Sequence, residues 1–175
     1  MKVYVTGSTR GLGKALAKDF NKAKFKVTGL NRPEYDLTKG LDNFIKDDFD
    51  VYINNAQFGF SQTELLYMLY DVNKDRECHI INIGSVSSDG DRKAVNKYAI
   101  EKTALEKACT QLSLVGGKCK VSLVKPGRID TQLIETTEGA KLDPREVSRA
   151  VVWSAIQPRY VNIKSMTIDI IPELK

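Results

Sequence analysis

KVYVTGSTRGLGKALAKDF, residues 2–20, is the stretch whose reading decides the fold. Lys2 to Thr6 is a short run of strand-forming residues that ends in glycine. From Leu12 to Ala23 the apolar residues Leu12, Leu16 and Phe20 recur every fourth position, the stripe of an amphipathic helix. The segment therefore reads as strand, glycine turn, helix.

Working outward, Phe25 to Leu30, Asp50 to Asn54, His79 to Ile83, Lys120 to Val124 and Met166 to Ile171 are further short runs rich in Val, Ile or aromatics and read as strands. Helical patterns lie between them at Lys39 to Lys46, Thr63 to Tyr70, Lys97 to Leu114 and Pro144 to Gln157. The last has Asp143 as its cap and Pro144 at its first position. Strands alternating with helices predict an α/β fold, a three-layer doubly wound parallel sheet of the Rossmann type. In such a sheet ligands sit beyond the carboxyl ends of the strands. With no repeat, low-complexity tract or linker, residues 1–175 read as a single domain.

Composition narrows the function classes. Of 175 residues, 42% are hydrophobic and 28% charged, which excludes a disordered or fibrous chain. No apolar run approaches the roughly 18 residues of a membrane span and the opening lacks the order of a signal peptide, so a cytoplasmic, membrane-free protein is expected. The three cysteines, Cys78, Cys109 and Cys119, form no CxxC pair and there is one histidine, His79. Reduced, buried thiols are expected rather than disulfides or a metal centre. The net charge of +5 is modest, and Lys14, Lys18, Lys22, Lys24 and Lys26 read as a solvated face rather than a nucleic-acid surface. Trp153, in a helix with Val147, Ala150 and Val151, is expected in the core or at a subunit interface.

The turn reads Thr6-Gly7-Ser8-Thr9-Arg10-Gly11-Leu12-Gly13, with GxxxGxG spacing rather than GxGxxG. Glycines let the backbone turn sharply and approach a pyrophosphate, and a helix that starts here aims free N–H groups at it. A dinucleotide is the predicted ligand. The end of the second strand, where an acid holds the ribose 2′-hydroxyl of NAD, carries Asn31 and Arg32. With Arg10 in the loop, this pair favours the 2′-phosphate of NADP(H). Glu34 leaves NAD(H) as the alternative.

Together, TGSTRGLG at 6–13, NNA at 54–56, Ser85 after INIG, YAIEK at 98–102 and KPGRIDT at 125–131 resemble the short-chain dehydrogenase/reductase family in motif order over nearly the whole chain. A serine thirteen residues before a YxxxK, followed by PGxIxT, is the specific conjunction. The resemblance implies that Asn54, Asn55 and Ala56 brace the sheet and line the cofactor cleft. Gln57 stands where the family has glycine, a bulkier side chain on the expected nicotinamide side. Pro126, Gly127, Ile129 and Thr131 would border the nicotinamide, and Lys102 would also hold its ribose. Asp36, with Leu37 beside it, matches the family's adenine-contacting acid or else caps a short turn. Asn73, in an Asp71-Val72-Asn73 context, resembles the family's active-site asparagine, yet only twelve positions separate it from Ser85. A helix-end role is the alternative.

The residues themselves suggest the chemistry. Tyr98 and Lys102 are i and i+4 on one helix, so they share a face. Bringing a phenol from a pKa of about 10 towards about 7 takes roughly 4 kcal/mol. An ammonium about 4 Å away at an effective dielectric near 20 supplies about that. Tyr98 would exchange a proton with a substrate oxygen that Ser85 orients, as hydride passes to or from the cofactor.

The expected function is an NADP(H)-dependent oxidoreductase of a small carbonyl compound or its alcohol. The alternatives are a nucleotide-sugar reductase or epimerase of the family's extended branch, and a non-catalytic NADP(H)-binding regulatory module. Gln132 to Leu142 is the expected substrate loop. The resemblance implies a homodimer through the YxxxK helix and the helix before the serine strand; the latter is abbreviated here, which leaves a different dimer or a monomer as the alternatives. For this family 175 residues is short. The spacings put the losses between the second strand and NNA, between NNA and Ser85, and in the C-terminal substrate region.

Overall fold

The computed structural model describes residues 1–90, 95–130 and 140–171. Strands β1 (Lys2–Thr6), β2 (Lys26–Leu30), β3 (Val51–Asn54), β4 (His79–Ile83), β5 (Lys120–Pro126) and β6 (Ser165–Ile168) form one six-stranded sheet in the order β2-β1-β3-β4-β5-β6. Every neighbouring pair is parallel. The helices are α1 (Gly11–Lys22), α2 (Ser61–Asn73), α3 (Lys97–Val115) and α4 (Pro144–Ala155).

Alternation along each strand sorts the side chains onto two faces. On one, Val3, Val5, Ile53, Ile81 and Val124 meet Leu12, Leu16 and Phe20 of α1 and Val147 and Val151 of α4. On the other, Tyr4, Tyr52, Ile80 and Leu123 meet Leu65 and Leu69 of α2 and Leu105 and Leu112 of α3. Strands β3, β4 and β5 are buried along their whole length, on both faces, including their polar residues Asn54, His79, Asn82, Lys120, Ser122 and Lys125. The doubly wound architecture is as the motif order predicts.

Local signals held where their chemistry is local. Asp143 accepts from the Arg145 amide at 2.8 Å and Glu146 reaches back to the Asp143 amide at 2.8 Å, a complete capping box. The five lysines from Lys14 to Lys26 are all exposed. Cys78, Cys109 and Cys119 are free and buried, and Trp153 is half exposed on α4, outside the core. Among the described residues no helix is long and apolar enough to cross a membrane.

The helix expected over Lys39 to Lys46 does not form; a single 3-10 turn, Asp42–Phe44, stands there. Gly40 takes a φ of +120°, a left-handed conformation incompatible with a helix, and the chain instead delivers Phe44 and Phe49 into the core, each 1% exposed. The Tyr52 hydroxyl donates to the Phe44 carbonyl at 3.0 Å, and Phe49 packs edge-on against Tyr4 and Tyr52. Two rings thus cover a part of the sheet that the expected helix would have covered. Phe44→Ala should cost about 3–5 kcal/mol in urea denaturation. A loss below about 1 kcal/mol would show that this segment is not part of the core.

Candidate functional site

The carboxyl ends of β1, β3, β4 and β5 converge on one edge of the sheet. At β1, Gly7 has a φ of +68° and Gly11 a φ of +52°. A Cβ on Gly13 would fall 2.0 Å from the Gly7 carbonyl oxygen, so α1 begins in direct contact with the turn that feeds it. Arg10, at the cap position of α1, makes no side-chain capping bond, and no acid occupies the first turn. The start of α4 is closed by its own side chains, whereas that of α1 is left open. Asn31, at the end of β2, accepts from the Ser8 amide at 2.7 Å and donates to Ser8 Oγ at 3.0 Å. Thr9, Arg10 and Arg32 are exposed, while the Leu12 side chain turns away into the core.

The Thr6 hydroxyl accepts from the amides of Asn55 and Ala56, each at 2.8 Å, and Asn55 Nδ2 donates to the Thr6 carbonyl at 2.9 Å. This locks the end of β3 against the glycine turn. Buried Asn54 donates to the Gln62 carbonyl at 2.9 Å and to Asn82 Oδ1 at 3.0 Å, bracing β3, β4 and α2.

Beyond β4, Ser85 is 8% exposed, and its Oγ accepts from the Ser87 amide at 3.1 Å. Tyr98 and Lys102 project from the first turns of α3. Ser85 lies near the Tyr98 phenol, and the Lys102 ammonium lies 5.4 Å from the Tyr98 ring centre. Burial pushes the phenol pKa up, the Ser85 hydroxyl opposes that, and the Glu101 charge adds to it. The depressed phenol expected from the i, i+4 spacing is therefore not realised. The reason is where the ammonium points. Lys102, 4% exposed, donates to Gln62 Oε1 at 2.6 Å and to the Ile83 carbonyl at 2.9 Å. Burial pushes its own pKa down to about 8, with Glu101 opposing.

The remaining expected residues divide. Pro126 closes β5, and a Cβ on Gly127 would fall 2.0 Å from Asp169 Oδ1, so only glycine admits that carboxylate. Ile129 bridges to Leu142. Asp36 accepts from the amide and hydroxyl of Thr38 at 3.0 and 2.8 Å, which holds its carboxyl below the ordinary range, and Leu37 packs against the core. Arg32 Nε lies 3.8 Å from Asp36 with its side chain 74% exposed. Thr131 and most of Gln132 to Leu142 lie outside the described residues.

Asn73 does not join the site. It ends α2, which runs back against the strands, and so sits at their amino edge. There it donates to the carbonyls of Lys46 and Leu69 at 2.9 and 2.8 Å and accepts from Arg76 at 2.5 Å. It is a helix-end residue. A cavity of about 410 Å³ opens at that amino edge, lined by Gly116, Lys118, Lys120 and Arg159 among others, and contains none of the expected site residues.

Two residues escaped the sequence reading. Gln62 is 3% exposed and, besides receiving Lys102, donates to the carbonyl of Asn54 at 2.8 Å. Lys125 is 6% exposed and pairs with Asp89 and with Glu106 at 3.0 Å. Ser88 Oγ lies 2.6 Å from Glu106 and 2.8 Å from the Ser85 carbonyl, so the turn carrying Ser85 is tied to both α3 and β5. No motif announces either. The lysine directly before the PG motif was the available signal for the second.

No protein-family model matches the chain. It is 26% identical over 217 aligned positions, 94% of each chain, to a protein of Staphylococcus epidermidis named as an uncharacterized oxidoreductase. That alignment is longer than the 175-residue chain, so the relative carries internal segments absent here. Among solved structures, a short-chain dehydrogenase from Burkholderia cenocepacia in complex with NADP superposes with a TM-score of 0.80 at 18% identity, covering 99% of this chain and 90% of that one. The 3-alpha-hydroxysteroid dehydrogenase of Pseudomonas sp. B-0831, complexed with NADH, gives 0.74 at 16% identity, covering 97% and 95%. The resemblance read from the motifs is thus matched by the fold and by similarity to an oxidoreductase along nearly the whole chain.

Gln62→Leu removes the acceptor on a buried ammonium and should cost about 1–3 kcal/mol in urea denaturation. Gln111→Leu, which breaks the exposed 2.6 Å bond from Tyr67 between the same two helices, should cost no more than about 0.5 kcal/mol. Equal losses would refute the special role of Gln62.

Proposed function

We propose that this chain, which has the fold and motif order of the short-chain dehydrogenase/reductases, is an NAD(P)(H)-dependent oxidoreductase that interconverts a small carbonyl compound and its alcohol. The observation that carries this reading is the grouping of Ser85, Tyr98 and Lys102 on the same carboxyl edge of the sheet as the open start of α1. The residues fit a dinucleotide. The first turn of α1 leaves its N–H groups without a side-chain acceptor or a competing acid, and Gly7 and Gly13 bring the backbone close, so a pyrophosphate has both donors and room. Asn55, Ala56 and the Pro126-Gly127 turn would flank the nicotinamide.

When bound, the nicotinamide supplies hydride in reduction and accepts it in oxidation. The rest falls to the chain. The Ser85 hydroxyl orients the substrate oxygen, and Tyr98, held protonated by its surroundings, donates to that oxygen as charge develops on it. Lys102, charged below a pH of about 8, holds its ammonium 5.4 Å from the Tyr98 ring centre and would bind the ribose hydroxyls.

The NADP(H) preference rests on Arg10 and Arg32, both exposed at the mouth of the loop, and on Asn31, a neutral side chain engaged with Ser8 where an NAD site would place an acid. NADPH should bind at least about tenfold tighter than NADH, about 1.4 kcal/mol, by fluorescence titration. Equal or tighter NADH binding would reverse the assignment.

In assays of NADPH oxidation against aldehydes, ketones and quinones, Tyr98→Phe should lower turnover by about 10²–10⁴-fold while leaving NADPH affinity within about twofold. Retained turnover would remove Tyr98 from the mechanism.

A further inference from the structure

Glu101 is an acid where packing alone calls for none. It lies on α3 one turn after Tyr98 (i−3) and directly before Lys102 (i+1), and it is only 7% exposed, buried like Lys102, whereas Tyr98 is 41% exposed. A carboxylate removed from water is costly unless it is paired or hydrogen-bonded. One partner is Lys97, an exposed side chain 3.9 Å away. The other is Gln57, whose Nε2 donates to Glu101 Oε2. The glutamine after Asn54-Asn55-Ala56 therefore spends its donor on this acid.

Among the described residues, the charged and titratable groups around Glu101 are Lys97, Tyr98 and Lys102 of α3, and the neutral Gln57 reaches it from the loop after β3. The hydrogen-bond acceptors on Lys102 among the described residues are neutral, Gln62 of α2 and the Ile83 carbonyl of β4. The carboxylate is thus the negative charge that acts on both members of the Tyr98–Lys102 pair.

Building on the oxidoreductase reading above, we propose that Glu101, held in place by Gln57, is a positioning residue whose charge keeps Tyr98 a proton donor and Lys102 an ammonium, extending carbonyl reduction to higher pH. Its action is electrostatic. A negative charge beside a phenol opposes formation of a second one, and beside an ammonium it favours retention of the proton. Both directions agree with the surroundings, since the Glu101 charge raises the proton affinity of Tyr98 and of Lys102. The device does not alter the equilibrium of the reaction; it moves the pH range in which each direction runs.

The phenol can be read in the free protein by ultraviolet difference titration, each variant being compared with its own Tyr98→Phe derivative. Glu101→Gln, which keeps shape and can still accept from Gln57, should lower the Tyr98 midpoint by about one pH unit. Glu101→Asp, which keeps the charge, should stay within about 0.3 unit of the parent. An unchanged or raised midpoint in E101Q overturns the proposal. So does a shift in E101D equal to that in E101Q, because that would show a packing role. Should E101Q fail to fold, Gln57→Ala carries the test, and a fall smaller than one unit is expected from loosening the carboxylate; no fall overturns it. Because no substrate or cofactor enters the measurement, an inactive enzyme with the expected phenol shift would count against the oxidoreductase reading and leave the role of Glu101 standing.

Discussion

A buried ammonium organises the carboxyl edge of this sheet. Lys102 is all but removed from water, and an unpaired charge there would be among the costliest features a small domain can carry. It is accommodated because α2 brings Gln62 and β4 brings the Ile83 carbonyl to one point. Gln62 is held in turn by the Asn54 carbonyl at the end of β3. These bonds tie α3 to α2 and β4 at the turn that also carries Tyr98. The acceptors are neutral, so the positive charge remains available to the site.

A second buried lysine does for the serine turn what Lys102 does for the helix. Lys125, the residue before Pro126, reaches Asp89 and Glu106, and Ser88 links Glu106 to the Ser85 carbonyl. Burial alone would lower the proton affinity of Lys125, but the two carboxylates outweigh it and leave it raised. Proton loss from Lys125 is correspondingly delayed, and the tie between β5 and the Ser85 turn persists into the alkaline range. On the cofactor side the equivalent constraint is steric, since the Gly13 backbone and the Gly7 carbonyl leave no room for a Cβ.

Much of this was legible because it rests on local chemistry. Gly7, Gly11 and Gly13 are required by the turn they make, the alternation in KVYVT sorts side chains to two faces, and Asp143, Pro144 and Glu146 announce a helix start within four residues. Tyr98 and Lys102 face the same way because 3.6 residues make a turn. The failures involve partners distant in sequence. Lys39 to Lys46 has a helical pattern, but the rings of Phe44 and Phe49 gain more from the core than the backbone would gain from another turn. Asn73 has the right neighbours in sequence and the wrong end of the helix in space.

By itself the sequence determined the alternation of strands and helices that makes the doubly wound fold, the glycine turn before α1 and the shared face of Tyr98 and Lys102, since each follows from order and spacing along the chain. Only the tertiary structure decided that the Lys102 ammonium turns to Gln62 instead of depressing the phenol, that Gln57 faces Glu101, and that Lys125 anchors the Ser85 turn. These contacts span 36 to 44 positions of chain, and their worth comes from the low dielectric that exists only once the sheet and both helical layers have closed over them.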